Sequence, residues 1–334
     1  MKRSIAAVVA MLLAVVMTMA ACETDVVERE VRPFEEAEMV VLIPAAAHGW
    51  IAAVIYHAER KAEQLLEDGI GSVRILTSPD VASQAFQLEE LIDQEVEVVV
   101  LFPHSDELSI PAQRVIDAGL PLFVFNRNVH SDFELRLLGC NLQIGGNSAR
   151  VIGEGLGGSG IVAYLAVPPV GSTSVERVGS FQAVMAEEFP DIELVTMTSS
   201  TISIEEGLSV ATDMLTANPH VDAVFTIDDS LAIGVLQAVR EAGRSDVQFI
   251  SGCGGAQIFF HSINDTDDIF LFSATYSADM IVDTMALAAE WLHGRRDFSD
   301  LFDPDFGQDN VVIIQPEIIT RYNVENFFAP GSPW

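Results

Sequence analysis

The sequence predicts an α/β protein of two lobes joined by crossing strands, each lobe a parallel sheet flanked by helices. Three observations predict it. Short β-rich runs alternate with longer runs of helical periodicity, the whole pattern restarts near mid-chain, and no Pro/Gly-rich linker separates the two sets. Strictly alternating strand and helix patterns need crossover helices, and those cover both faces of a parallel sheet.

The elements follow in order. Met39–Pro44 is a buried strand, and Ile51 to Glu67 carries Ile51, Val54, Ile55, Ala58, Ala62, Leu65 and Leu66 on one helical stripe. Val73–Thr77, Val96–Phe102 and Pro121–Phe125 read as further strands, with helices at Val81–Asp93 and Glu107–Ala118 between them. Gly119 follows the last periodic residue of the second of these helices, as a helix-terminating glycine does. In the second set the strands are Gly160–Ala166, Ile192–Thr196, Val221–Ile227, Val247–Ser251 and Phe270–Ala274. The helices are Ser174–Glu188, Ile204–Ala217, Ser230–Ala242 and Ala278–His293. The glycines between Gly153 and Gly160 lack the Gly-Lys-Ser/Thr ending of a phosphate loop and read as a helix-to-strand connection.

Residues 1–21 have the layout of a cleavable signal peptide: Lys2 and Arg3, an apolar run from Ile5 to Met19, and small residues up to Ala21. The run is short for a membrane span. Cys22 follows the small residues directly, which is the lipoprotein arrangement, with the thiol carrying the lipid; an ordinary signal peptide with a chance cysteine is the alternative. Residues 22–38 then form an acidic, structureless tether. The expected product is an exported, membrane-anchored lipoprotein on the periplasmic or cell-surface side, meeting the membrane through its lipid alone.

A formal charge of −32, from 49 acidic and 17 basic residues, argues against nucleic acid or anionic surfaces as partners. With 49% hydrophobic residues the chain can bury one or two full cores. Cys140 and Cys253 lie far apart in apolar surroundings and read as unpaired. No nucleophile elbow, His-Glu-x-x-His or Cys-x-x-Cys motif occurs, so no catalytic residues, metal site or cofactor are assigned. The acids of Asp303–Asp309 lack the full calcium-loop pattern and read as a solvated loop.

In open α/β sheets, ligands bind beyond the carboxyl ends of the strands. Here those ends offer His48 and Trp50, then His104, then Asn126 and Arg127, then Arg177, Asp228-Asp229, Gly252-Cys253-Gly254 and Tyr276. The set suits a neutral polyhydroxylated ligand. A carboxylate accepts from hydroxyls, guanidinium groups donate to hydroxyl oxygens, and an indole covers the C–H face of a sugar. Arg127 and Asp228 could instead form an inter-lobe ion pair, Trp50 could be a core residue, and His48 could cap the first helix.

At these positions the chain resembles periplasmic sugar-binding proteins of the ribose-binding type, type I periplasmic binding proteins that feed ABC importers. The resemblance runs from about Met39 to Phe328. It rests on Pro44–Trp50, Ser78–Gln84, Asn126-Arg127, Arg177–Phe181 and Asp222–Ala238. It implies two Rossmann-like lobes, three hinge crossings and closure around one ligand. The lobes would be residues 39–138 plus 277–309 and residues 139–276 plus 310–328. The ligand contacts it implies are His48, Trp50, Phe102, Asn126, Arg127, Arg177, Asp228 and Tyr276. Asn126 replaces the family's usual acid, Ile202 stands where an aromatic is common, and Gly252-Cys253-Gly254 replaces Phe-Asp-Gly. The pocket should therefore be less polar than a ribose pocket. The expected role is a monomeric, non-enzymatic receptor delivering a sugar or sugar alcohol to ABC permease subunits. The alternative is a receptor presenting a sugar or furanose-like signal to a sensor kinase or chemoreceptor.

Overall fold

The computed structural model describes residues 31–334 except 47–48, 169–171, 303–309 and 330. Cys22, His48 and the acidic loop at 303–309 therefore lie outside the described residues.

The first half builds β1 (Glu38–Pro44), α1 (Gly49–Glu67), β2 (Ser72–Ser78), α2 (Val81–Ile92), β3 (Val98–Leu101), α3 (Ser109–Asp117), β4 (Leu122–Phe125) and β5 (Leu135–Gly139). The second half builds α4 (Asn141–Gly155), β6 (Ser159–Ala166), α5 (Ser172–Glu188), β7 (Asp191–Thr198), α6 (Ile204–Ala217), β8 (Ala223–Thr226) and α7 (Asp229–Glu241). It continues with β9 (Phe249–Gly254), α8 (Gln257–Asp265), β10 (Phe270–Thr275), α9 (Met280–Leu292), β11 (Val311–Ile314) and β12 (Ile318–Thr320). The strands form two six-stranded sheets, ordered β11-β5-β4-β3-β1-β2 and β12-β10-β9-β8-β6-β7. Pairing is parallel throughout except between β10 and β12, which is antiparallel.

β1 shows why a parallel sheet needs an apolar run rather than an alternation. Met39, Val41 and Ile43 enter one hydrophobic core, while Val40 and Leu42 enter another on the opposite face. Both faces are buried, so every second residue has a core of its own. Gly119 terminates α3 at φ 81°, and the Leu120 N–H reaches back to the Val115 carbonyl. Helix α4 ends at Gly155 and β6 starts at Ser159, so the intervening glycines are a helix-to-strand connection.

The chain leaves the first sheet after Gly139, crosses back to the first lobe between Thr275 and Met280, rejoins the first sheet at Val311, and leaves again between Ile314 and Ile318. The lobe bounds expected from the sequence assign everything from 310 to 328 to the second lobe. Val311–Ile314 instead pairs in parallel with Arg136–Gly139 as the edge strand of the first sheet, which moves the passage to residues 315–317. The tether is also shorter than expected. Phe34 is buried and stacked on His293 at 3.9 Å, and Phe34–Glu36 forms a 3-10 turn. Arg32 Nη2 donates to Glu97 Oε2 at 2.8 Å, and the same oxygen accepts the Glu38 N–H at 2.6 Å. A nearly buried carboxylate at Glu97 holds the entry strand in place because both of its partners satisfy it.

Candidate functional site

The carboxyl ends of both sheets border a cleft of about 930 Å³. Trp50, Phe102, Asn126, Arg127, Arg177, Asp228 and Tyr276 all line it.

On the first-lobe wall, α1 begins at Gly49, which brings Trp50 into the cleft-side core. Trp50 is almost wholly buried, with Phe125 stacked at 6.1 Å and Phe102 edge-on at 6.0 Å. Its Nε1 donates to the Tyr276 carbonyl at 2.7 Å. Its N–H is thus spent on the passage between the lobes, and what it offers the cleft is apolar surface. Asn126 follows β4 at φ 69°, a left-handed conformation that Asn tolerates better than most residues. Its Oδ1 accepts the Tyr276 hydroxyl at 2.6 Å, so the residue that replaces an acid serves as a neutral acceptor inside the site. Arg127 lies over the Phe102 ring at 5.6 Å and donates to the His104 carbonyl. Surrounding protein strips water from its guanidinium and lowers its pKa. The loop that presents His104 is set by buried Gln84, which donates to the Phe102 carbonyl at 2.9 Å and accepts the His104 N–H at 2.8 Å. His104 itself bonds the Ser78 carbonyl at 2.8 Å, a support for the loop.

On the second-lobe wall, Arg177 is buried on α5. Nε donates to Asn141 Oδ1 at 2.9 Å, Nη1 donates to the Ile227 carbonyl at 2.7 Å, and the guanidinium sits 5.1 Å from the Tyr276 ring centre. Asn141 in turn donates to Glu176 at 3.0 Å. Asp228 caps α7, its Oδ1 accepting the Ser230 N–H at 2.7 Å. Among the described residues no ion pair joins Arg127 and Asp228, so the alternative in which they bind each other is not what the structure shows. Tyr276, on the passage between the lobes, packs against Gly139 on another passage. A Cβ at Gly139 would come within 2.4 Å of the ring, so only glycine permits this approach.

Asp229 plays a different part from its neighbour. It is fully buried and accepts Gly255 N–H at 2.6 Å, Ala256 N–H at 2.7 Å and the Ser273 hydroxyl at 2.7 Å. It ties the turn after β9 to β10. Burial pushes the Asp228 pKa up to about 7, with the Asp229 charge adding to the rise; burial likewise raises Asp229 to about 6. Both folded values exceed the ordinary carboxyl value of 3.8, so folding takes up protons. The pair's stabilising contribution is full below about pH 4 and is lost as pH rises through about 6 to 7. Asp228→Asn, which cannot ionise, should therefore show a smaller fall in apo melting temperature from about pH 5 to about pH 8 than the parent. Parallel melting-temperature profiles would contradict this assignment.

Glu176, Asn141 and Cys140 also line the cleft and were not among the expected contacts. Strand β5 and the start of α4, which deliver Cys140 and Asn141, were not read from the sequence. Ile202, where an aromatic was expected, lines the cleft as an aliphatic wall. Cys140 and Cys253 are free thiols. Among the described residues no cluster of three or more His, Cys, Asp or Glu could hold a metal ion, and no helix is long and apolar enough to cross a membrane. The cleft thus presents donors, acceptors and aromatic surface on two facing walls.

A family model described as a periplasmic binding protein domain matches residues 39–294. A xylitol-binding protein of Mycolicibacterium smegmatis is 26% identical over 193 residues, 57% of this chain and 55% of that protein. A ribose import binding protein of Bacillus subtilis is 28% identical over 188 residues, 56% of this chain and 60% of that protein. The matches thus span less than two thirds of either relative. Among solved structures, an ABC transporter solute-binding protein of Bacillus halodurans with bound myo-inositol superposes with a TM-score of 0.73 at 16% identity, covering 87% of this chain and 97% of that one. One from Actinobacillus succinogenes with bound D-allose gives 0.69 at 21% identity, over 87% of this chain and all of that one. At such identities the structural likeness speaks for the fold.

Proposed function

The chain belongs to the periplasmic binding protein family, and from that premise we propose that it is the substrate-binding lipoprotein of an ABC importer, closing on a neutral sugar or sugar alcohol. The observation that carries the reading is the pairing of walls. Arg127 and Asn126 on one lobe face Arg177 and Asp228 on the other, with Phe102, Trp50 and Tyr276 supplying apolar surface between them. Hydroxyl groups both donate and accept, so they can use this mixture without bringing a charge of their own. Relatives that bind xylitol and ribose support the class. The neutral Asn126 and aliphatic Ile202 favour a ligand with fewer hydroxyl groups, or a more extended one, than ribose.

The two lobes in this reading are residues 39–138 with 277–314 and residues 139–276 with 315–328. Closure happens about their three passages, and the closed form is what the permease subunits recognise. The receptor acts as a monomer, outside the cytoplasm, held to the membrane by lipid on Cys22. A thermal-shift screen of pentoses, hexoses, 6-deoxysugars and alditols tests the ligand class. A ligand at a hundredfold excess over its Kd stabilises by about 2.7 kcal/mol, which raises the melting temperature measurably. If no compound of these classes shifts the melt, the ligand class is wrong. The anchor is tested separately. Cys22→Ser should abolish fatty-acid labelling and move the protein to the aqueous phase; a mutant that still labels has another acceptor.

A further inference from the structure

Ala329 and the described residues 331–334 lie along the boundary between the two lobes. On the second lobe, both ends of one amide hold this segment: Gln257 Nε2 donates to the Phe327 carbonyl at 3.0 Å, and Gln257 Oε1 accepts the Ala329 N–H at 2.8 Å. On the first lobe it meets α1. A Cβ built at Gly331 would lie 3.3 Å from the Tyr56 hydroxyl. The segment ends with the indole of Trp334 packed between a glycine of each lobe. A Cβ at Gly49 would be 2.6 Å from Trp334 Cε3, and a Cβ at Gly254 would be 3.3 Å from Cζ2. Both glycines therefore leave room for one ring. Gly254 is also at φ 132°, a backbone conformation that excludes most side chains for its own reasons.

These two glycines border the binding site. Gly49 precedes Trp50, whose Nε1 donates to the Tyr276 carbonyl, and the Gly254 carbonyl accepts the Tyr276 N–H at 3.0 Å. The indole thus lies beside the two bonds that tie one passage between the lobes to each wall. We infer that Trp334 is an inter-lobe positioning residue, a ring whose packing between Gly49 and Gly254 sets the relative orientation of the lobes and, through Trp50 and Tyr276, the geometry of the cleft. Trp334 Nε1 is buried without a hydrogen-bond partner, so ring volume does the positioning and the N–H does not. Lobe rotation changes the gap between residues 49 and 254, and a filled gap restricts that rotation.

The test needs no sugar, so it stands or falls apart from the ligand assignment. Spin labels at Glu63→Cys on α1 and Glu241→Cys on α7, in a Cys22→Ser, Cys140→Ser background, report the inter-lobe distance in the ligand-free protein. Trp334→Ala should broaden the distance distribution and add a second population, while Trp334→Phe should restore the parent distribution. An unchanged distribution in Trp334→Ala would overturn the inference. So would a lowered melting temperature with the distribution intact, because that marks the ring as packing for one lobe alone. A Phe variant that behaves like Ala would also overturn it, since it would transfer the role to the indole N–H.

Discussion

Measured above about pH 7, where the Asp228 carboxyl is ionised, Arg127→Ala and Asp228→Asn should each weaken binding of the tightest sugar or polyol by on the order of ten- to a hundredfold. A hydrogen bond in which one partner is charged contributes about 1.5–3 kcal/mol, and each 1.4 kcal/mol is about a factor of ten in Kd. Asparagine is the informative replacement at Asp228. It keeps an oxygen for the Ser230 N–H, so the cap on α7 survives while the charge at the cleft is lost. Alanine there would remove the cap as well, at about 1 kcal/mol of stability, and blur the comparison. Arg127 gives one of its five N–H groups to the His104 carbonyl, so Arg127→Ala should also lower the apo melting temperature slightly. Titration calorimetry with apo melts separates the roles. Large affinity losses with near-parent melts place both residues on the ligand. Parent affinity in both variants would remove them from the site.

Asp229→Ala should be the most destabilising single change near the site. It strands the Gly255 and Ala256 N–H groups and the Ser273 hydroxyl in the interior. Each buried donor left unpaired costs about 1–3 kcal/mol. Removing a carboxylate that burial already disfavours returns part of this, as its raised pKa indicates. A net loss of about 3 kcal/mol remains, seen as a lower urea midpoint at unchanged slope. The turn it holds includes Gly254, whose carbonyl orients Tyr276, so ligand affinity should fall as well. A variant with the parent midpoint would show that the three donors find other partners.

Much of the architecture was legible because both faces of each parallel strand are buried. Val40 to Ile43 and Ala223 to Phe225 are continuous apolar runs, and the intervening helices carry clean stripes. The elements that escaped are short or polar. Strand β5 contains Arg136 and follows the acidic stretch at Asp132–Glu134, and β12 is three residues long. Missing β5 hid the partner of Val311–Ile314, which is why the third passage was placed too early. The strand ends were legible for the same reason that the fold was, since a polar residue after a buried apolar run marks a cleft. Their division of labour was not. Sequence alone does not separate Asp228, on the cleft, from Asp229, spent on a turn, nor does it show that the Trp50 N–H is given to the Tyr276 carbonyl. The tie between Trp334 and two glycines distant in sequence leaves no periodic signal at all.

The two lobes should close on a sugar or polyol held between Arg127 and Asp228. Small-angle scattering of the protein with and without the tightest compound from the thermal screen tests it directly. Hinge closure should shrink the radius of gyration by roughly an ångström or more and sharpen the profile. Superimposable profiles at saturating ligand would contradict closure around a bound sugar.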